Sequence, residues 1–291
     1  MKKSLFIAVI IIAALACNQS APPPAEVSPS ALPPATSQST ASPAPTSTAP
    51  LPPTATPFPG TEVSFGNLSL VIPPGLASGA SGIQQPGANG EDAPTWMIYP
   101  DYIELTFNGY TLPNPSPDAR IYVFPVEAYK TINPDIAKTF ARVQAACCDP
   151  QNLPTPDALP RIPFFNAGQV FASNIQPLAF QNGQGVRFVT QYSQFYAVLT
   201  NTSVFYQYQG LTSDGQYYLI VTLPLSSSIL PPISDPPVAP PGILMPQYGD
   251  PDADWENYYH AVAALLDTSP TAYTPTLAQL DTLIQSIIIH P

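Results

Sequence analysis

The stretch Ser203-Val204-Phe205-Tyr206-Gln207-Tyr208-Gln209-Gly210-Leu211-Thr212 is followed by Ser213-Asp214-Gly215 and then by Gln216 to Leu223. Two β-rich runs here bracket an Asp-Gly pair, and glycine supplies the positive φ of a tight hairpin turn without strain. Upstream, Ile175 to Gln181 and Val186 to Tyr192 bracket Asn182-Gly183-Gln184-Gly185 in the same manner. Four runs joined by short turns predict an antiparallel meander.

Shorter signals extend the sheet. Glu62–Phe65 and Leu68–Ile72 flank Gly66-Asn67 and read as a hairpin closed by Pro73-Pro74. Tyr102–Asn108 and Arg120–Phe124 are further strands bounded by proline and glycine, whereas Leu76 to Pro94 reads as a Gly/Ser/Gln-rich loop.

Three helices are expected. The first takes Asn133 as N-cap with Pro134 next, and Ile136, Phe140, Val143 and Cys147 recur at helical spacing. The second opens at Asp250-Pro251-Asp252 and carries Trp255, Tyr258, Val262 and Leu266 on one stripe. In the third, Thr276 and Gln279 have capping-box spacing ahead of Leu280, Ile284 and Ile287. The fold class is α+β: an antiparallel meander packed by helices, with an α/β/α sandwich as one form of it.

Pro73-Pro74-Gly75, the Asp214-Gly215 hairpin and a final Ile284-Gln285-Ser286-Ile287 resemble features of PsbP-like exported domains. The resemblance implies an α/β/α sandwich on an antiparallel sheet and an accessory or binding role. It carries over no functional residue.

Ahead of this domain, Lys2 and Lys3 precede an apolar run from Leu5 to Ala16, the layout of a secretory signal. The run is shorter than the roughly 20 residues that cross a membrane. Ala13-Ala14-Leu15-Ala16-Cys17 resembles the lipobox of bacterial lipoproteins, with Ala14 where leucine is more usual. That resemblance implies removal of residues 1–16, lipid on Cys17, and residence on the outer face of a bacterial membrane. More than one acyl chain is needed to hold a protein there.

Residues 18–59 hold 13 prolines, 13 Ser/Thr and a single charge, Glu26. With so little apolar surface to offset ordering entropy, residues 17–59 read as a disordered, polyproline-rich stalk reaching at most about 130 Å. Residues 60–291 then form one globular domain.

The chain carries a net charge of −11, and residues 60–291 have 18 acidic against six basic side chains. Nucleic acid is excluded as a partner, because binding it needs a basic patch that displaces counterions. Charged residues make up 9 % of the chain, so amides, hydroxyls and tyrosines must supply much of its polarity.

No nucleophile-elbow, zinc-protease, phosphate-loop or dinucleotide pattern is present, and no cofactor is expected. His260 reads as a helix-surface histidine, with a general base as the sharper alternative. Asp250, Asp252 and Asp254 resemble the opening of an EF-hand calcium loop, then depart from it at Trp255 and Ala261. Acids favoured at a helix N-terminus are the competing reading. Cys147 and Cys148 are adjacent, too close across a trans peptide for an unstrained bridge, and both are expected to be reduced.

Tyr192, Tyr196, Tyr206, Tyr208 and Tyr217, set among glutamines, are the candidate binding residues. Uncharged aromatic and amide surface suits a sugar ring or a protein partner. The same alternation also fits a sheet with one buried face. Two functions remain: a non-catalytic binding or accessory module for an envelope polysaccharide or protein, or an envelope hydrolase with paired carboxylates such as Asp101 and Glu104.

Overall fold

In a computed structural model the chain divides into Met1–Thr54 and Ala55–Pro291. The structure describes residues 58–113, 116–147, 153–233 and 236–291, all within the second unit. The expectations for the leader, for Cys17, for the stalk up to residue 57 and for Cys148 lie outside the described residues.

The first hairpin pairs β1 (Thr61–Phe65) with β2 (Leu68–Ile72). Gly66 turns it at φ 58°, a conformation open to glycine without a Cβ penalty. Next come β3 (Gly79–Gln85), β4 (Tyr102–Asn108) and β5 (Arg120–Pro125), then α1 (Val126–Ile132) and α2 (Ile136–Ala146). The expected meander follows as β6 (Gly168–Phe180), β7 (Gly183–Ser193), β8 (Phe205–Thr212) and β9 (Tyr217–Pro224). The chain finishes with β10 (Ser226–Ser227), α3 (Trp255–Asp267), β11 (Tyr273–Thr274), α4 (Leu277–Ser286) and β12 (Ile288–Ile289).

One seven-stranded sheet runs in the order β3-β4-β5-β9-β8-β7-β6. All its neighbouring pairs are antiparallel. A three-stranded sheet, β1-β2-β12, joins the start of the domain to its end. Alternation along each strand sends residues to opposite faces. Ile121, Val123, Leu219, Val221, Tyr206 and Tyr208 pack with Tyr258 and Val262 of α3 and Leu280 and Ile284 of α4. Phe124, Tyr218 and Ile220 pack the other way, against Tyr129 of α1 and Ile136, Phe140 and Val143 of α2. Helices therefore cover both faces, giving an α/β/α sandwich within the α+β class.

Tyr208 shows how the packing is achieved. Gly185 and Gly210 are cross-strand partners. An added Cβ on Gly185 would stand 2.7 Å from Tyr208 Cζ, and one on Gly210 2.7 Å from Tyr208 Oη. The two glycines leave room for the ring, whose hydroxyl donates to the Leu178 carbonyl at 2.9 Å.

Four expectations are corrected. The segment read as a loop from Leu76 to Pro94 contains β3, an edge strand whose GASGIQQ sequence has no hydrophobic alternation to announce it. The β6–β7 turn is Gln181-Asn182, because Phe180 pairs directly with Gly183. Asn133 caps the C-terminus of α1, and Asp135 precedes α2. The amide of Asn133 donates to the carbonyls of Thr95 at 3.2 Å and Ile98 at 3.3 Å, which ties down the preceding loop. Finally, α3 begins at Trp255, with Asp254 as its cap accepting from Asn257 N at 2.9 Å. Thr276 caps α4 through Gln279 N at 3.2 Å, as its spacing predicts.

Candidate functional site

On the face covered by α1 and α2, the helices lie over β5 and β7–β9 and leave β4 and the outer side of β5 to loops. A 3-10 turn, Thr95–Met97, and the segment 164–166 roof that end of the sheet. Between roof and sheet lies a cleft of about 470 Å³. Small-molecule sites commonly occupy roughly 300–1,000 Å³.

Seven aromatic side chains line it: Trp96, Tyr99, Tyr102, Tyr122, Phe124, Phe164 and Phe165. Tyr102 and Phe124 lie 4.6 Å apart with planes inclined by 30°, while Tyr122 and Phe164 lie 4.8 Å apart at 56°. Tyr99 meets Tyr102 edge-on at 5.6 Å. These offset and edge contacts hold the rings in place against one another.

At the bottom of the cleft lies an ion pair. Arg120 Nη1 donates to Glu104 Oε1 at 2.8 Å, and Arg120 Nη2 to Asp118 Oδ2 at 2.6 Å. The Glu104 side chain is only 5 % exposed. Its second oxygen accepts from Gln85 Nε2 at 3.3 Å and from the Tyr102 hydroxyl at 3.4 Å. Burial works against the Arg120 charge, but Asp118 and Glu104 outweigh it and hold the guanidinium above its usual pKa.

Burial, followed by the Glu104 charge, raises the Tyr102 phenol well above its ordinary value. The Tyr122 phenol is pushed up to about 12 by burial, with Arg120 pulling the other way. Both phenols are therefore neutral hydroxyls at physiological pH. The cleft presents flat aromatic faces and hydroxyl groups around charges that are already paired.

The five tyrosines expected to bind are not gathered into one surface. Tyr206 and Tyr208 leave that set: both are fully buried. The Tyr206 hydroxyl donates to Asp281 Oδ1 at 2.8 Å and that of Tyr208 to a backbone carbonyl. With both sheet faces covered, the Tyr-Gln alternation builds core on either side. Tyr192 is half-buried, its hydroxyl accepting from Ile162 N at 2.9 Å, and its ring meets Phe165 of the cleft edge-on at 5.2 Å. Tyr217 is half-buried at the start of β9. Tyr196 is exposed, stacks on Trp255 at 5.6 Å, and lines a second cavity between β6 and α3.

Other candidates separate likewise. Asp101 accepts from Gly87 N at 2.6 Å on a neighbouring concavity, whereas Glu104 is held by Arg120, so the two do not form a facing carboxylate pair. Asp250 accepts from Asp252 N at 2.9 Å in a turn, and Asp254 caps α3. Among the described residues no group of three or more His, Cys, Asp or Glu is placed to hold a metal ion. Cys147 is buried at the end of α2, its thiol donating to the Gln144 carbonyl at 3.3 Å.

The cleft residues come from three separated segments, 96–104, 120–124 and 164–166, so no linear pattern announces them. The only local hint is the density of aromatics in Tyr99–Tyr102 and Tyr122–Phe124. The chain matches no protein-family model, no curated protein and no solved structure.

Proposed function

We propose that this protein is a lipid-anchored extracytoplasmic binding module that holds a neutral, ring-bearing ligand, a saccharide of the cell envelope, in the aromatic cleft. The observation that carries this reading is the convergence of seven aromatic side chains on the Glu104–Arg120 ion pair, whose guanidinium is further held by the exposed Asp118. Aromatic faces cover the apolar faces of a sugar ring, while phenol hydroxyls meet its hydroxyl groups. Glu104 and Arg120 cancel within the cleft, and the one excess negative charge, on Asp118, is exposed and screened, so the group adds little attraction for an ionic ligand.

The test is titration of the full chain with neutral envelope-derived oligosaccharides, followed by Trp96 fluorescence and calorimetry. Saturable binding is expected, changed less than about twofold between 50 and 500 mM salt because exposed charges contribute little. Trp96→Ala and Phe164→Ala should each weaken it by about tenfold, the order of one base- or sugar-sized stacking contact. Absence of binding at millimolar ligand, or binding indifferent to both substitutions, would overturn the reading.

The anchor rests on the lipobox resemblance and on lipid at Cys17, with residues 17–59 as spacer. No helix among the described residues is long and apolar enough to cross a membrane. Cys17→Ser should move the protein from the membrane fraction to the soluble fraction or leave it unprocessed. Retention of a matured Cys17→Ser chain in membranes would refute the anchor.

A further inference from the structure

The second cavity, about 520 Å³, lies between the edge strand β6, helix α3 and the segment 155–161. Its chemistry differs from that of the cleft. Asp157 and Arg161 stand on one wall, and Glu256 and His260, one helical turn apart, stand on the other. None of these four side chains has an ion-pair partner among the described residues.

That is exceptional in a chain so poor in cations. Of the six basic side chains in residues 60–291, Arg120, Lys130, Lys138 and Arg187 are in ion pairs. Arg142 donates to the Leu159 carbonyl at 3.3 Å. Of the six, Arg161 alone has neither an ion pair nor a side-chain hydrogen bond among the described residues, and it lines this cavity. Gln169, on β6, adds an independent sign: its side-chain oxygen and nitrogen are both buried without a protein partner. A buried amide without a partner costs free energy, which rotation of the Gln169 side chain toward a ligand in the cavity would recover.

A simple anion would be repelled by Asp157 and Glu256, and a simple cation by Arg161. A ligand with one charge of each sign satisfies both. The apolar lining of Tyr196, Tyr259 and Val170 then calls for an apolar body between the charges. The Tyr259 hydroxyl is already occupied by the backbone of Ala197, at 3.0 Å from its nitrogen and 2.9 Å from its oxygen. Its ring is therefore the part left to a ligand.

We propose that this cavity binds a short zwitterionic peptide with both ends free. The terminal carboxylate pairs with the Arg161 guanidinium and the Gln169 amide, the terminal ammonium pairs with Glu256 and Asp157, and an apolar side chain lies against Tyr196. Arginine forms the fork that a carboxylate accepts in two-point geometry.

The probe is alanyl-phenylalanine, titrated into the full chain at low ionic strength and compared with its N-acetyl and C-amide forms. The free dipeptide should bind saturably, and blocking either end should weaken binding by about tenfold or more, the order of a lost charge-assisted hydrogen bond. Arg161→Gln and Glu256→Gln should each produce a similar loss. Arg161→Gln should add nothing further for the C-amide peptide, which already lacks the partner charge. Both substitutions fall on exposed side chains, so the fold is retained, with melting temperature as the check. Trp96→Ala should leave peptide binding intact, which separates this site from the saccharide cleft. Equal binding of free and blocked peptides, wild-type affinity in both charge variants, sensitivity to Trp96→Ala, or no binding at about 10 mM peptide, where Kd would correspond to under 3 kcal/mol, would each overturn the proposal.

Discussion

Arg187 Nε approaches Asp281 Oδ1 at 3.2 Å across the boundary between the seven-stranded sheet and the final helix, with side chains 8 % and 18 % exposed. The guanidinium also donates to the Asn174 carbonyl and to Gln176 Oε1, and Asp281 accepts from the Tyr206 hydroxyl at 2.8 Å. A buried charge that loses its partner keeps its desolvation penalty and loses its compensation. Asp281→Ala should therefore destabilise the domain by about 3–5 kcal/mol. Asp118→Ala, which removes the more exposed partner of Arg120, should cost less than about 1 kcal/mol. Urea unfolding of the two variants side by side checks the contrast, and equal losses would refute it.

Burial raises the phenol pKa values of Tyr206, Tyr208 and Tyr218 well above the ordinary value, with Asp281 adding to the effect at Tyr206. The unfolded chain loses these protons near pH 10, while the folded protein keeps them. Above that pH the unfolded state binds fewer protons, so stability falls as pH rises. The contribution is complete below about pH 10 and is lost progressively toward the raised values, at most about 1.4 kcal/mol per pH unit for each phenol. Melting temperatures at pH 8 to 11 should be flat to about pH 9.5 and then drop steeply. Absorbance at 295 nm should show these tyrosines ionising only with unfolding.

The acids at residues 250–254 should behave as turn and cap groups. Asp254→Ala removes the acceptor for Asn257 N and should cost about 1 kcal/mol. Asp252→Asn should change stability by less than about 0.5 kcal/mol, as expected for an exposed carboxylate away from the cap. Millimolar calcium should leave the melting temperature of the parent chain unchanged. A calcium-dependent rise abolished by Asp252→Asn would restore the metal reading.

The parts of the fold legible in sequence were those where a local rule met no competing tertiary demand. The Thr276–Gln279 cap, the Gly66-Asn67 turn and the Asp214-Gly215 hairpin are of this kind. β3 was invisible because an edge strand needs no apolar alternation when its side chains stay partly in solvent. Tyr206 and Tyr208 misled for the opposite reason: polar-tipped rings suggested an outer face where helices cover both faces. Asn133 has the chemistry of an N-cap, but its amide is spent on a loop 35–38 residues earlier in the chain. The aromatic cleft depends on strand register. Tyr102 faces Phe124 and Glu104 faces Tyr122 only because β4 and β5 pair as they do and β5 in turn pairs with β9. Neither pairing is written in any single segment.

The pairing of β2 with β12 bears on how the molecule is made. Leu68 waits for Ile289, and the Asn67 amide for the His290 carbonyl 223 residues later. A growing chain can form the β1–β2 hairpin at once, but its free edge stays open until Ile288 and Ile289 arrive. A polypeptide truncated before Leu277 would leave the apolar seat of α4 uncovered, displaying that part of the core to proteases and chaperones.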